Sequence, residues 1–161
     1  NLKSPFLQKA IYESCKIKKL VVEKDEKEKN FRKILNFGHT FAHAYESSLN
    51  FSKKLNHGEA VILGMKSAFE FSHIKKFINN KEFNSAIKHL NNSHFPTSVK
   101  NYFTTKKIDQ IVTFMTRDKK NNSTNIKLML IKKIGGPIIE KEFSTDTIKL
   151  FLKKRLINQD L

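Results

Sequence analysis

Apolar residues recur every three to four positions along most of this 161-residue chain. This spacing constrains the fold most, because it buries one stripe of an α-helix. It predicts helices over about 5–23, 31–49, 57–71, 81–90, 106–115 and 144–156. Only the segments 126–131 and 138–143, which flank Gly135-Gly136-Pro137, are typical of strands, and together they predict a β-hairpin. We therefore expect a mainly α, multi-helix fold with one small antiparallel β-hairpin.

Candidate N-cap residues mark the starts of two predicted helices. Ser4 is the expected N-cap of the first helix, with Pro5 at its first helical position. The closing helix has either Ser144 or Thr145 as its N-cap. Arg117 begins a predicted loop that runs to Asn122.

Composition restricts the partners of the chain. The net charge is +16, yet only three of its 31 basic residues are arginine and the lysines are scattered. Arginine is favoured for base readout, so we expect weak attraction to polyanions and no specific nucleic-acid site. The single cysteine, Cys15, excludes an internal disulfide and a Cys-rich zinc site. With no apolar run near the roughly 20 residues of a membrane span and no signal peptide, we expect a cytoplasmic protein without a membrane partner.

The predicted second helix carries the most distinctive side chains. At about 100° per residue, one stripe of it collects four polar residues: Arg32, Asn36, His39 and His43. Glu46 continues this stripe, and the opposite arc is apolar. The centre of the stripe contains no lysine, although lysine is the residue expected on a solvated face of this chain. Spacing alone leaves two interpretations open, an ordinary solvated face and a functional surface.

Histidines provide the candidate chemistry. Two histidines one helical turn apart, His39 and His43, can bind one metal together. Alternatively, one binds the metal while the other moves protons. His57, at the start of the next predicted helix, is a further candidate ligand, with Gly58 allowing close backbone approach. It is equally interpreted as an N-terminal cap. The other histidines are expected to be surface or satisfied core residues: His73, His89 and His94.

Three motifs closely resemble those of the 3-dehydroquinate synthases: Asn36-Phe37-Gly38-His39-Thr40-Phe41-Ala42-His43-Ala44, His57-Gly58-Glu59-Ala60-Val61 and Gly64-Met65. Flanking features agree with this resemblance, namely Asp25-Glu26-Lys27-Glu28 with Arg32 before the motifs and Arg117-Asp118-Lys119-Lys120 after them. The closing hairpin and helix also resemble the family's C-terminal end. The resemblance therefore covers essentially the whole chain.

The resemblance implies a role for each matching residue. His39 and His57 match two histidine ligands of a catalytic zinc, and His43 matches a histidine in proton transfer. Glu28 matches an acidic residue with an acid/base role. Other residues match groups that hold the carboxylate, hydroxyls and phosphate of the substrate: Lys18, Arg32 and Asn36, with Lys120 favoured over Lys119 as a further contact.

The reaction that the resemblance implies converts 3-deoxy-D-arabino-heptulosonate 7-phosphate to 3-dehydroquinate and phosphate, in the shikimate pathway. Its steps are transient oxidation by NAD, loss of phosphate, re-reduction, ring opening and an intramolecular aldol closure. Zn²⁺, or another divalent ion such as Co²⁺, polarises the hydroxyl that is oxidised, and NAD carries the redox chemistry. The family resemblance also suggests a homodimer.

Three departures from the family pattern affect what we expect of this chain. Ala42 stands where the family commonly has glycine, a change that the helix should tolerate, and the spacing from His39 to His57 is one residue longer than in some members. The family's third zinc ligand, a glutamate, and its NAD-binding α/β domain precede Asn1. We therefore expect residues 1–161 to be a single helical metal- and substrate-binding domain, most of the family's C-terminal domain, and inactive alone.

Three alternatives remain. Related sugar-phosphate cyclases of the same superfamily use other substrates, as do the more distant metal-dependent alcohol dehydrogenases, although the 36–44 string and the 118–120 loop favour the synthase. A basic helical nucleic-acid-binding module would bind with a steep salt dependence that His39→Ala leaves unchanged. A domain kept only for assembly is disfavoured, since a structural role does not require these histidines at this spacing.

Overall fold

The computed structural model describes residues 3–117, 125–136 and 138–157. The chain forms two compact units, residues 1–35 and 36–161. The first unit contains helix α1 (Phe6–Lys24). This helix starts one residue later than expected, with Pro5 as its N-cap, and the Ser4 hydroxyl donates to Gln8 Oε1 (3.1 Å) and caps no backbone N–H. The prediction of Ser4 as the N-cap is therefore wrong.

The second unit carries the remaining α-helices of the described residues: α2 (His39–Ser48), α3 (His57–Ile74), α4 (Asn80–Asn91), α5 (Ile108–Arg117) and α6 (Thr145–Ile157). Short 3₁₀ turns at Val99–Asn101 and Thr105–Lys107 lie between α4 and α5. Arg117 ends α5 and so does not begin a loop as predicted, and the rest of that predicted loop lies outside the described residues. Within the described ranges, none of the helices has the length and apolar character that a bilayer crossing requires.

The predicted hairpin is present and precedes the last helix. Strands β1 (Asn125–Ile131) and β2 (Ile138–Ser144) pair antiparallel over their full length. Most of β1 is buried, whereas β2 is exposed or half-buried. The Ser144 hydroxyl accepts a hydrogen bond from the Thr147 N–H (3.3 Å), so Ser144 provides the N-terminal cap of α6. The prediction of a mainly α fold with one antiparallel hairpin is confirmed.

The predicted helix over 31–49 is not continuous. Residues Phe31–Asn36 form a 3₁₀ segment, and α2 begins only at His39. Gly38 separates the two with φ of +82°, a left-handed conformation that glycine adopts without steric cost. The prediction of one helical stripe that runs from Arg32 through Asn36 to His39 is therefore wrong, and only the part within α2 is present.

Two glycines allow α2 and α3 to cross closely. A Cβ on Gly38 would lie 2.5 Å from the Met65 backbone nitrogen, and one on Gly64 would lie 2.9 Å from the Ala42 nitrogen. Both distances are too short for real side-chain atoms. Ala42 itself is fully buried at this crossing. Gly58 has no atom within 4 Å of its would-be Cβ, so the prediction that Gly58 allows a close backbone approach is wrong.

A buried polar network joins α2, α3 and α6 behind this crossing. Arg155 pairs with Glu70 through Nε and donates from Nη1 to Ser67 Oγ (2.6 Å). The Ser67 hydroxyl also lies 2.8 Å from the Tyr45 hydroxyl, and Lys66 Nζ lies 3.8 Å from Glu70 Oε1. All five side chains are buried. Because charges in a core are tolerated only when they are paired, this network fixes the apolar side of α2 against both helices.

Candidate functional site

Three histidine rings come together where α2 and α3 meet. The ring centroids of His39 and His43 are 5.5 Å apart, and the His57 centroid lies 6.2 and 6.3 Å from them. His39 and His43 are one turn apart on α2, and His57 is the first residue of α3. The two helices thus build one group of imidazoles, which we call the histidine cluster (His39, His43 and His57).

The orientation of His57 is fixed by a carboxylate. Its Nδ1 lies 3.0 and 3.1 Å from the two carboxylate oxygens of Glu46. A carboxylate is an acceptor only, so Nδ1 is the protonated nitrogen, and in the neutral ring Nε2 carries the lone pair. The N-cap of α3 is Asn56, whose N–H donates to Glu59 Oε2 (2.9 Å). The interpretation of His57 as a cap residue is therefore wrong.

His39 is held in the same tautomer by the backbone. Its Nδ1 lies 3.4 Å from the Phe37 carbonyl oxygen, which can only accept. Burial lowers the pKa of His39; the Phe37 hydrogen bond opposes this shift, and the charges of His43 and His57 add to it. The balance favours the neutral imidazole, which is the form that binds a metal ion.

The donor set fits part of a metal site. Neutral imidazoles with free Nε2 lone pairs are ligands that zinc and cobalt accept. Catalytic zinc sites use about three protein ligands and keep one position open. Within the part of the chain that the structure describes, no group of three or more His, Cys, Asp or Glu side chains is arranged to hold a metal ion. His39 and His57 are therefore two suitable donors of an incomplete set.

A second group of predicted site residues lies in the first unit, on residues 25–32, which we call the Asp25 loop. The two carboxylate oxygens of Asp25 accept hydrogen bonds from three backbone N–H groups: those of Lys29 (2.9 Å), Asn30 (2.8 Å) and Arg32 (3.0 Å). These bonds, that of Arg32 foremost, lower the pKa of Asp25. One ionised side chain therefore shapes the whole loop.

The Asp25 loop carries one predicted substrate contact, Arg32, and one predicted acid/base residue, Glu28. Arg32 donates from Nη1 to the Glu26 carbonyl oxygen (2.9 Å), which holds the guanidinium along the loop. Glu28 is exposed and has φ of +52°, a left-handed conformation, at the end of the turn in which its N–H donates to the Asp25 carbonyl oxygen (3.2 Å). Lys18 is exposed on α1 of the same unit. These three residues belong to the first unit, and the histidine cluster belongs to the second.

The remaining predicted residues have different surroundings. Asn36 is half-buried at the start of the second unit. Lys119 and Lys120 lie outside the described residues. His73 stacks on Phe83 with ring centroids 4.1 Å apart, as expected for a satisfied residue, and the other two histidines are exposed: His89 and His94.

Two positioning residues were not assigned any role from the sequence. Glu46 continues the histidine stripe, and an acid three residues after His43 was the available signal. Its partner His57 is reached only through the fold. Asp25 was noted as part of a motif, but an aspartate just after a helix and before a short polar segment is also typical of a side chain that bonds to backbone N–H groups.

A family model and curated relatives both match this chain to 3-dehydroquinate synthases. Residues 1–121 match the family model described as 3-dehydroquinate synthase C-terminal. The chain is 56% identical over 155 residues to the 3-dehydroquinate synthase of Pelagibacter ubique (strain HTCC1062), covering 96% of this chain and 42% of that protein. It is 38% identical over 159 residues to that of Leptospira interrogans (serovar Lai, strain 56601), covering 96% and 41%. The chain thus spans about two fifths of the length of these curated relatives.

Solved structures show the same fold. A crystal structure of 2-deoxy-scyllo-inosose synthase complexed with carbaglucose-6-phosphate, NAD⁺ and Co²⁺ is similar with a TM-score of 0.66 and 21% identity, over 80% of this chain and 36% of that one. A second structure of 2-deoxy-scyllo-inosose synthase gives a TM-score of 0.62 and 20% identity, over 80% and 34%. These likenesses concern the fold alone. Because the family model matches residues 1–121 of 161, the chain belongs to the 3-dehydroquinate synthase family through its C-terminal domain.

Proposed function

We propose that this chain is the metal- and substrate-binding part of a 3-dehydroquinate synthase. The whole enzyme would convert 3-deoxy-D-arabino-heptulosonate 7-phosphate to 3-dehydroquinate and phosphate. The observation that carries the proposal is the histidine cluster, in which two imidazoles are bonded through Nδ1 and a third ring lies beside them. Family membership supports the choice of reaction.

In this proposal His39 and His57 hold a divalent metal through Nε2, as Zn²⁺ or Co²⁺. The metal, when bound, supplies a Lewis acid that makes a substrate hydroxyl more acidic. The Co²⁺ and NAD⁺ of the 2-deoxy-scyllo-inosose synthase complex support a divalent metal together with a nicotinamide cofactor. We place the NAD site, and the third metal ligand, in polypeptide beyond the two fifths that this chain matches.

The residues of this chain then bind the substrate and move protons. An imidazole can accept and donate a proton near neutral pH, and His43 would transfer a proton close to the substrate phosphate. Glu28 would act as a second acid/base group. Charge-assisted hydrogen bonds from cations hold anionic groups most strongly, and the proposed contacts to the carboxylate, hydroxyls and phosphate are Lys18, Arg32, Asn36 and Lys119 or Lys120.

Further properties belong to the proposal. We infer that residues 1–161 form one domain of a longer enzyme and that they are inactive alone. We also infer a cytoplasmic homodimer without a specific nucleic-acid partner. A second candidate function, another sugar-phosphate cyclase, is favoured by the fold shared with 2-deoxy-scyllo-inosose synthase.

Phosphate release by the full-length polypeptide tests the proposal. We expect release from 3-deoxy-D-arabino-heptulosonate 7-phosphate to require NAD⁺ and a divalent metal, and to be lost in His39→Ala. Release from glucose 6-phosphate in its place would favour the second candidate. Release from neither substrate would contradict both. The 161-residue chain, assayed in parallel, should release no phosphate, and turnover by it would contradict its proposed inactivity.

A further inference from the structure

Two acidic side chains are deeply buried among the described residues, Glu46 and Glu70. Glu70 pairs with Arg155 and lies near Lys66, so the core balances its charge. Glu46 instead directs both carboxylate oxygens at a single nitrogen, His57 Nδ1. A buried carboxylate aimed at one imidazole requires an explanation, since burying a charge costs free energy that a structural residue could avoid.

The two partners differ sharply in how well they are held. The Glu46 side chain is 9% exposed, whereas that of His57 is 62% exposed. Packing therefore fixes the carboxylate on α2 but leaves the imidazole ring of His57 largely in solvent. The hydrogen bond at 3.0–3.1 Å is the restraint that transfers the rigidity of α2 to this ring.

His39 offers a contrast within the same cluster. It is half-buried, and its Nδ1 bond to the Phe37 carbonyl is longer, at 3.4 Å. Neighbouring protein therefore restricts the ring of His39 with less help from a hydrogen bond. Of the two proposed metal ligands, His57 is the one whose Nδ1 is held by a carboxylate side chain, at a shorter distance.

We propose that Glu46 is a positioning residue that prepares His57 for metal binding, an inference that rests on the proposed function. By accepting the Nδ1 proton, Glu46 leaves the Nε2 lone pair available and fixes the direction in which it points. Its negative charge also makes the imidazole a better donor. Outer partners of this kind typically change metal affinity by about 10- to 100-fold when they are removed.

The test is a Co²⁺ titration of the full-length polypeptide, followed by the d–d absorption of the bound ion and by calorimetry. We expect Glu46→Gln, which keeps the size and one acceptor oxygen but removes the charge, to weaken Co²⁺ binding about 10-fold. Glu46→Ala should weaken it further, by about 100-fold. The matched control is Glu59→Gln, since glutamine also serves in a capping box, and it should leave the Co²⁺ affinity unchanged.

A double-mutant cycle separates positioning from a general structural effect. If Glu46 acts through His57, Glu46→Gln should have no further effect on Co²⁺ affinity once His57→Ala is present. An unchanged affinity in Glu46→Gln, or equal losses with and without His57, would overturn the inference. If His57→Ala itself binds Co²⁺ as tightly as the unsubstituted protein, the metal role in the proposed function fails instead.

NMR of the unsubstituted apoprotein keeps the inference testable even if the Glu46 variants do not fold. The nitrogen shifts of the imidazole report which ring nitrogen carries the proton. We expect the proton of His57 on Nδ1, facing Glu46. A neutral His57 with its proton on Nε2 would overturn the inference, because the lone pair of that tautomer lies on Nδ1 and faces Glu46 instead of a metal.

Discussion

The histidine cluster and the Asp25 loop position their side chains in opposite ways. The cluster stands on two helices that cross at glycines and are joined from behind by a buried polar network. The Asp25 loop is exposed for most of its length and is shaped by one carboxylate that accepts three backbone hydrogen bonds. Core packing therefore fixes the geometry of the histidine cluster, whereas the geometry of the Asp25 loop depends on the side chain of Asp25. Substitutions in the core behind the histidine cluster should accordingly lower global stability, whereas substitutions in the Asp25 loop should affect only its local order.

The largest expected effect comes from the polar network behind the cluster. Arg155→Met should lower the free energy of unfolding by about 3–5 kcal/mol, because it removes the buried ion pair between Arg155 and Glu70. Denaturant titration measures this loss. Lys154→Met, at an exposed position of the same helix, is the control and should change little. A loss in Arg155→Met no larger than in the control would show that the network does not support the core.

The helix crossing should be the next most sensitive point. Gly64→Ala is expected to cost about 1–3 kcal/mol of stability, since its methyl group would collide with the backbone at Gly38 and Ala42. Gly58→Ala, where the new methyl group meets nothing within 4 Å, should cost no stability. Thermal unfolding of the two variants provides the comparison. Equal melting temperatures would contradict the close crossing.

Tyr45, a member of the buried polar network, should make the stability of the protein depend on pH. Burial raises the pKa of Tyr45 above that of an unfolded tyrosine, about 10. The unfolded chain therefore loses this proton first, and stability should fall as the pH rises above about 10. Tyr45→Phe should flatten this fall while losing about 1 kcal/mol at neutral pH with the Ser67 hydrogen bond. Unfolding free energies between pH 8 and 11, with the exposed Tyr12→Phe as control, measure the difference, and parallel slopes would refute the assignment.

The smallest effect on global stability should come from the Asp25 loop. Asp25→Asn replaces one acceptor oxygen with a donor, so at least one of the three backbone bonds is lost. We expect faster hydrogen exchange at the amides of Lys29, Asn30 and Arg32, with a nearly unchanged free energy of unfolding. If the proposed function holds, the full-length polypeptide should also show a higher KM for its substrate. Glu26→Gln is the control, because only its backbone carbonyl contacts Arg32. Unchanged exchange in Asp25→Asn would show that other contacts shape the loop.

Lowering the pH should disorder the Asp25 loop locally, as Asp25→Asn does. Because the three N–H bonds lower the pKa of Asp25, its ionised form favours the ordered loop. The order is fully present above the unfolded pKa of about 3.9. It is lost as the pH falls through the lower value in the folded protein. Amide exchange of the loop, measured at decreasing pH and corrected for the intrinsic rate, should show protection that persists to about pH 4 and then falls.

Sequence patterns predicted the parts of the fold whose cause is local. Periodicity predicted a helix from His57, observed as His57–Ile74, and Gly135-Gly136-Pro137 predicted the hairpin. The break at Gly38 was missed because a helical wheel gives position but not backbone conformation. Glu46 and His57 are eleven residues apart, and Arg155 and Ser67 are 88 apart. Such partners are chosen by tertiary packing, which no local pattern reports.

For the site, the resemblance directed attention to His39, His43 and His57, and the structure added how two of these rings are oriented. It brings the three histidines together as the motif spacing suggested. The tautomers of His39 and His57 depend on Phe37 and Glu46, whose roles follow from hydrogen bonds in the folded chain. The metal, the nicotinamide cofactor and the substrate remain proposals that the experiments above test.

The buried contact between Arg155 and Ser67 has a consequence for how the chain folds during synthesis. Residues separated by 88 positions meet in this contact, and one of them lies on the last helix. Contacts of such high sequence separation form slowly, because a long loop must close before they contribute. Synthesis must therefore proceed through residue 155 before α3 gains this contact. Messages that end before residue 155 should yield chains that contain every histidine of the cluster and yet are degraded as unfinished proteins.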